Sequence, residues 1–499
     1  MNIKIHKEIS LGGNMGYTSW IYYAMVIVLL IIYYSFPKHY RWMVLLAGSI
    51  LFYTQIIHSK KQIAVFLLSI VVSYVTGLLL QRMKQTTHVR IKRVVLSGGI
   101  LLTAFPLIFE KAGSFIYGSV LHTTKTSWVV PVGLSFYTLQ LVAYLVDIYK
   151  GEIDAQINPL KYGLFATFFP QIIQGPIPRY KQLQQELLDG NNYTPDNLMR
   201  GLQLVIWGFF LKYMIADKAA VIVNPIFDNY HAYSGVYIWV AAILYSIQLY
   251  ADFLSCTTMS QGVGEMFGIH LVNNFNHPYF STSIKEFWRR WHMSLSFWLR
   301  DYVYIPLGGS KRGKISKRIN LIITFSVSGL WHGGSWKFLI WGLLHAFYQI
   351  MGEIKHDLSA KYSLNRFKMK SKGLSTALHR IGTFILVMFA WIIFRANSFM
   401  TSLEMIRTMF MDFYPWVLFD DSLFNLGLNW KELVVLLISI GILFYISKLQ
   451  ERGTVLRDWF SGQNTAVRWI IYLAAIWTIW IFGSYGYGFN ANDFIYGGF

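Results

Sequence analysis

"GLWHGGSWKFLIWGLLHA", residues 329–346, places His332 between Trp331 and the pair Gly333 and Gly334, in a run otherwise apolar enough to lie in a lipid bilayer. An ionisable side chain at membrane depth is costly, and it marks a functional site unless it only joins two helices by a hydrogen bond. This stretch alone leaves both readings open. The glycines permit a break in the backbone and the close approach of a neighbouring helix.

The rest of the chain makes the bilayer the solvent to reason with. Of 499 residues 55% are hydrophobic and only 14% charged, with a mean hydropathy of +0.41. These values describe an integral membrane protein. Windows near 18–36, 41–57, 62–81, 94–111, 128–148, 199–217, 235–256, 378–396, 432–450 and 467–486 are each long enough to cross the hydrocarbon as a helix. The expected fold is therefore an all-α polytopic membrane protein of about ten transmembrane helices, a single domain over 1–499 with no soluble insertion or tandem repeat. The N-terminus shows no cleavable signal pattern, so the first span is expected to stay as an anchor. The lone Cys256 excludes an intrachain disulfide and any cysteine-based zinc cluster.

The net charge of +20 would suggest nucleic acid in a soluble protein, but its distribution follows the membrane, and no nucleic-acid partner is expected. Arg82, Lys84, Arg90, Lys92 and Arg93 cluster in one loop. Lys355, Lys361, Arg366, Lys368, Lys370, Lys372 and Arg380 cluster in another. The positive-inside rule makes both cytoplasmic, places the acidic segment with Asp412, Asp420 and Asp421 outside, and puts both termini outside after ten crossings.

Two stretches interrupt this pattern. "FFPQIIQGPIPRY" (168–180) carries prolines and a glycine that helices tolerate poorly. The basic, amphipathic stretch 257–318 carries Phe287, Trp288, Trp291, Leu295, Trp298 and Leu299 at helical spacing, with Arg289, Arg290 and Arg300 between them. That spacing predicts a helix in or below the headgroup plane, either an aromatic-belt anchor or a ledge for an anionic ligand. The next apolar piece, 319–331, is too short to cross and return. Residues 319–352 should therefore enter and leave on one side, with His332 at the deep end of a hairpin where protein surrounds the break.

A second histidine, His292, lies in the basic stretch. Neutral imidazole can take a proton from a hydroxyl as its oxygen attacks a carbonyl, and a second polar group can orient it or bind the developing oxyanion. A pair of this kind suits acyl transfer. His345 is as well explained by helix packing as by a supporting role. Asp147 and Asp252 fit either a proton relay or paired structural charges. The sequence lacks HExxH, CxxC, P-loop and GxSxG patterns, so no metal, nucleotide or serine-hydrolase chemistry is expected.

"EFWRRWHMSLSFWLRDYVYIPLGG" (286–309) followed by the opening stretch resembles the membrane-bound O-acyltransferases. The likeness is greatest to the branch that contains the alginate and peptidoglycan O-acetylation proteins and the teichoic acid D-alanine transfer protein. "PVGLSFYTLQLVAYLVDIYKG" (131–151), "FFPQIIQGPIPRY", "NNFNHPYFSTSIKEFWRRWH" (273–292) and the terminal "DFIYGGF" (493–499) carry the same resemblance. It implies a helical ring around a central tunnel, with interfacial and re-entrant helices. It also implies a catalytic histidine at His332 and a second signature residue, asparagine, aspartate or histidine in different branches, at His292. Where the branch usually reads Tyr-Phe-Asp-Phe-Ser-Gly-Tyr-Ser-Asp, this chain has "YADFLSCTT" (250–258). The altered segment keeps Asp252 and is expected not to touch His332 or His292, though it could change the acceptor.

The resemblance implies an O-acyltransferase, by expectation an O-acetyltransferase of the bacterial plasma membrane. It would draw on a cytoplasmic thioester such as acetyl-CoA, with no bound cofactor. Arg289, Arg290, Lys311, Arg312 and Lys314 are the candidates to meet the CoA phosphates. The acyl group would pass to a secreted or cell-surface polysaccharide through an extracytoplasmic SGNH-type acyltransferase, since 397–431 is too small and apolar to grip a polymer. The competing reading is an acyl-group or glycan transporter or flippase with His332 in a proton relay.

Overall fold

Inside a bilayer an apolar segment satisfies its backbone groups only by coiling into a helix, and each of the ten expected windows contains one. The computed structural model describes residues 15–57, 59–84, 88–121, 131–361 and 371–485. The stretches 1–14 and 486–499, the basic residues Arg366, Lys368 and Lys370, and the start of the window 128–148 lie outside them. In chain order the helices are α1 (Trp20–Ser35), α2 (Arg41–Ile56), α3 (Lys60–Arg82), α4 (Val89–Ser114), α5 (Leu134–Lys150), α6 (Pro159–Thr167), α7 (Tyr180–Leu188), α8 (Pro195–Phe209), α9 (Asp217–Asp228) and α10 (Gly235–Met266). They continue as α11 (Ile284–Arg290), α12 (Met293–Leu299), α13 (Gly313–His332), α14 (Trp336–Lys361), α15 (Lys372–Arg395), α16 (Phe399–Met411), α17 (Trp430–Glu451), α18 (Leu456–Ser461) and α19 (Thr465–Phe482). Strands are absent among the described residues.

Six of these, in α3, α4, α10, α15, α17 and α19, are long and apolar enough by themselves to span a membrane, and α1 is a shorter apolar helix. The protein is a multi-pass membrane protein. The outer helices keep lipid-ready surfaces, as with exposed Ile27 and Ile31 on α1 and Ile470 and Trp480 on α19. Helix α5 is buried on nearly every side, as expected of a helix apolar all round at the centre of a bundle.

Helix α10 runs to Met266, ten residues beyond the expected end at 256, and is 32 residues long. Its second half is polar in sequence, yet Ser255, Thr257, Thr258 and Ser260 are all buried. Small residues explain this. A Cβ on Gly262 would stand 2.6 Å from the Gly201 carbonyl oxygen and one on Gly201 2.5 Å from that of Gly262, so α8 and α10 meet backbone to backbone. Ser255 and Thr257 satisfy themselves locally: Ser255 Oγ donates to the Asp252 carbonyl at 2.6 Å and Thr257 Oγ1 to the Phe253 carbonyl at 3.0 Å.

The proline-rich stretch 168–180 is irregular and enclosed, with Phe168, Phe169, Gln171, Ile172 and Gln174 buried. Side chains from distant helices take up its backbone groups. The Phe169 amide donates to Ser49 Oγ at 3.2 Å, and the Pro170 carbonyl accepts from Tyr17 Oη at 2.8 Å. Non-helical backbone at this depth is tolerated only with such partners.

Candidate active site

The opening stretch forms the expected hairpin. Helix α13 ends at His332, residues 333–335 turn, and α14 leaves at Trp336. The arms touch through glycine: a Cβ on Gly329 would lie 2.2 Å from the Phe338 carbonyl oxygen, and one on Gly342 2.2 Å from that of Phe325. Gly334 seats the apex on α4, where a Cβ would stand 2.1 Å from the Lys111 carbonyl oxygen. The first arm starts at Gly313, earlier than the apolar pattern at 319 suggests, because its first turns carry Lys314, Lys317 and Arg318. Its 20 residues extend about 30 Å, so His332 stands a full helix length from the basic end.

His332 is 2% exposed and lies in an aromatic box. Ring centroids of Trp331, Trp341 and Phe394 stand 4.8, 5.1 and 5.5 Å from its own. His292, 1% exposed, meets Phe253 of α10 edge-on at 4.7 Å, Phe136 of α5 at 6.4 Å and Trp331 at 6.0 Å. Trp331 thus contacts both imidazoles, which are 40 positions apart in sequence, and its indole Nε1 is tied to the Ser135 carbonyl at 3.2 Å.

The single amphipathic helix expected around His292 is broken. Helices α11 and α12 are separated by Trp291 and His292, and His292 adopts a left-handed backbone with φ 43°. The aromatic stripe therefore faces the protein core: Trp288, Trp291 and Trp298 are all buried. Left-handed backbone costs a non-glycine residue roughly 1–2 kcal/mol, and the segment 274–276 holds it in place. The Met293 amide donates to the Asn274 carbonyl at 2.8 Å, and the Asn276 amide to the Arg290 carbonyl at 2.9 Å. Asparagine, aspartate and histidine, the types that the resemblance allows at this position, are the non-glycine residues most tolerant of that conformation.

Asn274, which carries no signature of its own in the sequence pattern, orients this histidine. Its Oδ1 accepts from the Ser294 amide at 3.2 Å and from Ser294 Oγ at 2.9 Å, and lies 3.1 Å from His292 Nδ1. An amide N–H only donates, so the atom facing it is the oxygen. Nδ1 of His292 then carries the proton, and Nε2 is the ring's acceptor nitrogen. The only sequence signal was its place in the quoted block "NNFNHPYF". Asn274→Ala strips an acceptor from several buried donors and is expected to cost about 3 kcal/mol, whereas Asn274→Asp keeps the acceptor. Thermal unfolding in detergent of the two variants beside wild type checks this; equal melting would refute the orienting role.

His345 lies one ring away from His332. Its Nδ1 accepts from Trp288 Nε1 at 3.2 Å, and Trp341 stands between the two histidines, 4.9 Å from His345. Asp252 joins Asp217 around Lys212, whose Nζ lies 2.8 and 3.0 Å from the two carboxylates. Asp147 accepts from Tyr302 Oη at 2.7 Å. Segment 250–258 reaches the site through Phe253, which packs on His292 and is one of the positions at which this chain keeps the branch pattern.

The five basic candidates divide. Arg289, Lys311 and Arg312 are exposed. Arg290 is held by Glu286, one turn earlier on α11, and by Glu451 of α17, at 2.7 and 2.6 Å. Lys314 pairs with Asp357 at 2.7 Å on the surface, and its hydrogen bond holds that carboxyl below the usual range.

The sequence profile described as MBOAT, membrane-bound O-acyltransferase family, matches residues 152–402, which include both His292 and His332. The chain belongs to the membrane-bound O-acyltransferase family. Among curated membrane-bound O-acyltransferases and their relatives, it is 37% identical over 273 residues to the probable alginate O-acetylase of Pseudomonas putida, covering 55% of this chain and 54% of that protein. The match thus spans about half of the P. putida protein. It is 33% identical over 394 residues to the peptidoglycan O-acetyltransferase of Helicobacter pylori, covering 73% and 72%. To the teichoic acid D-alanyltransferase of Bacillus subtilis it is 30% identical over 324 residues, covering 61% and 78%.

Proposed function

We propose that the protein is an O-acyltransferase of a bacterial plasma membrane that moves an acyl group, by preference acetyl, from a cytoplasmic thioester such as acetyl-CoA toward hydroxyls of a secreted or cell-surface polysaccharide. The observation that carries the reading is the enclosed imidazole of His332 at the hairpin apex, with His292 held against the same tryptophan. His332 takes the proton of the attacking hydroxyl, the oxygen adds to the thioester carbonyl, and collapse expels the thiolate, which recovers a proton. Asn274 presets His292 with Nε2 as a second acceptor.

The donor would approach from the basic ends of α11 and α13. A cavity of about 440 Å³ beside Lys285 is lined by Lys285, Lys314, Lys317, Tyr348 and His356, together with Glu353 and Asp357, which pair with Lys317 and Lys314. Tyr348 contacts His345, and the rings of Trp341 continue to His332. Lys285 therefore joins Arg289, Lys311, Arg312 and Lys314 as a phosphate contact; the Lys314 pair with Asp357 is exposed and can open, whereas Arg290, enclosed between two glutamates, leaves the set. Replacing these five by glutamine is expected to raise KM for acetyl-CoA roughly tenfold in sum, more at low salt because exposed charges are screened. An unchanged KM would leave them as headgroup anchors.

The acceptor side would need a partner. Segment 397–431 packs one face on α10, where Trp239 Nε1 donates to the Met409 carbonyl at 3.1 Å and the Gly235 amide to that of Asp412 at 2.7 Å. Its other face leaves Met411, Trp416 and Phe419 exposed at 78%, 72% and 82%, an apolar patch of the kind that receives a protein. An SGNH-type extracytoplasmic transferase would dock there and complete transfer. The test is reconstitution with labelled acetyl-CoA: thioester loss should require the membrane protein, and polymer labelling should require the co-encoded transferase as well. Equal polymer labelling without the transferase would refute the relay. Gradient-driven transport without thioester loss would refute transfer.

A further inference from the structure

A cavity of about 810 Å³ opens between α15 and α17, away from His292 and His332. Helix α15 presents Gly373, Thr376, Ala377, Arg380, Ile381 and Phe384 to it, and α17 presents Ile440, Leu443, Phe444 and Ser447. Each set repeats at helical spacing, so two helix faces line one groove, and the small residues at 373, 376, 377 and 447 leave its width open. A wall of packed rings separates it from the candidate active site: Tyr279 meets Trp291 at 6.2 Å, Trp291 meets Trp391 at 5.0 Å, and Trp391 stacks on Trp341 at 5.8 Å.

One end of the groove is polar and basic. Arg380 donates from Nε to the Phe280 carbonyl at 2.8 Å, its guanidinium lies 5.1 Å over the Phe280 ring, and it forms no ion pair among the described residues. His277 lines the same cavity, and its Nδ1 has no hydrogen-bond partner among the described residues. None of the lining residues is acidic. Glu451, one turn beyond Ser447, is already held by Arg290. Both helices qualify as membrane spans, and Leu378, Ile381, Phe444 and Tyr445 beside the groove are exposed, so it opens sideways into lipid. The basic run 355–380 places the Arg380 end at the cytoplasmic face, where anionic lipids concentrate.

We propose that this groove seats an anionic phospholipid, with its phosphate on Arg380 and an acyl chain along the apolar faces of α15 and α17. Positive charge at one end, an apolar body and an opening among lipid-facing residues match that molecule. The full chain, reconstituted in phosphatidylcholine vesicles doped with a photoactivatable phosphatidylglycerol, tests it. Crosslinks should map to α15 and α17 and exceed those from an equally labelled phosphatidylcholine. Arg380→Gln should lower phosphatidylglycerol labelling about tenfold. Ala377→Phe, which fills the groove and keeps the charge, should suppress labelling by both lipids and decides the matter if Arg380→Gln fails to fold. Equal labelling by the two lipids, labelling that survives Ala377→Phe, or crosslinks to a second copy or another protein at the groove would overturn the proposal.

Discussion

His332→Gln lowers acyl transfer by about 10²–10⁴-fold, the usual contribution of a positioned general base, with little change in thermal stability. Glutamine keeps polar bulk inside the box of Trp331, Trp341 and Phe394, so packing is largely preserved while the basic nitrogen is lost. The choice of substitution matters because the ring is 2% exposed. His332→Ala would also stop transfer, but it leaves a void and is expected to cost about 2 kcal/mol besides. Thioester turnover and melting of the two variants, measured side by side, separate chemistry from packing. Turnover within a few-fold of wild type in His332→Gln would remove the residue from the proposed mechanism.

Lys212→Met should be the most destabilising single change away from the histidines, by about 3–5 kcal/mol. Lys212 lies in the wide turn Phe210–Ala216 after α8, and its ammonium is enclosed with Asp217 and Asp252, the three side chains being 3–4% exposed. Removing the lysine leaves two carboxylates facing each other out of water. The triple variant Lys212→Met, Asp217→Asn, Asp252→Asn removes the charges together and should recover most of that loss, because the expense lies in uncompensated charge rather than in the missing bond. Detergent melting curves of both variants decide it. Asp252→Asn that folds normally yet abolishes turnover would return Asp252 to the chemistry, whereas turnover retained in the triple variant assigns the cluster to structure.

These two expectations rest on different kinds of information. The position of His332 at a hairpin apex was legible because an imidazole beside paired glycines, in an apolar run flanked by basic loops, has few other places to go in a bilayer. The partner of Asp252 was not legible, because Lys212 lies 40 positions away in sequence and only the packing of the segment after α8 on α10 brings them together. Arg290 shows the same limit from the other side. Its basic sequence neighbours made it a candidate phosphate ligand, but Glu451, 161 positions away on α17, joins Glu286 in holding it. Spacing could not show the break at His292 either, since nothing in the sequence states that 274–276 will hold residue 292 in a left-handed backbone.

The sequence by itself determined the long apolar helices, their approximate limits and the hairpin, but not the shorter α6, α7, α9, α16 and α18, because a hydrocarbon solvent leaves an apolar backbone almost no alternative to coiling and sorts charge to the ends. Tertiary structure alone decided where helices continue past their apolar stretch, as α10 does against Gly201. It also decided which buried charges neutralise one another, and that Trp331 brings His292 and His332 into one site. Each of these depends on contacts between residues far apart in the chain, whose energies come from close packing and mutual desolvation, and a linear pattern carries neither.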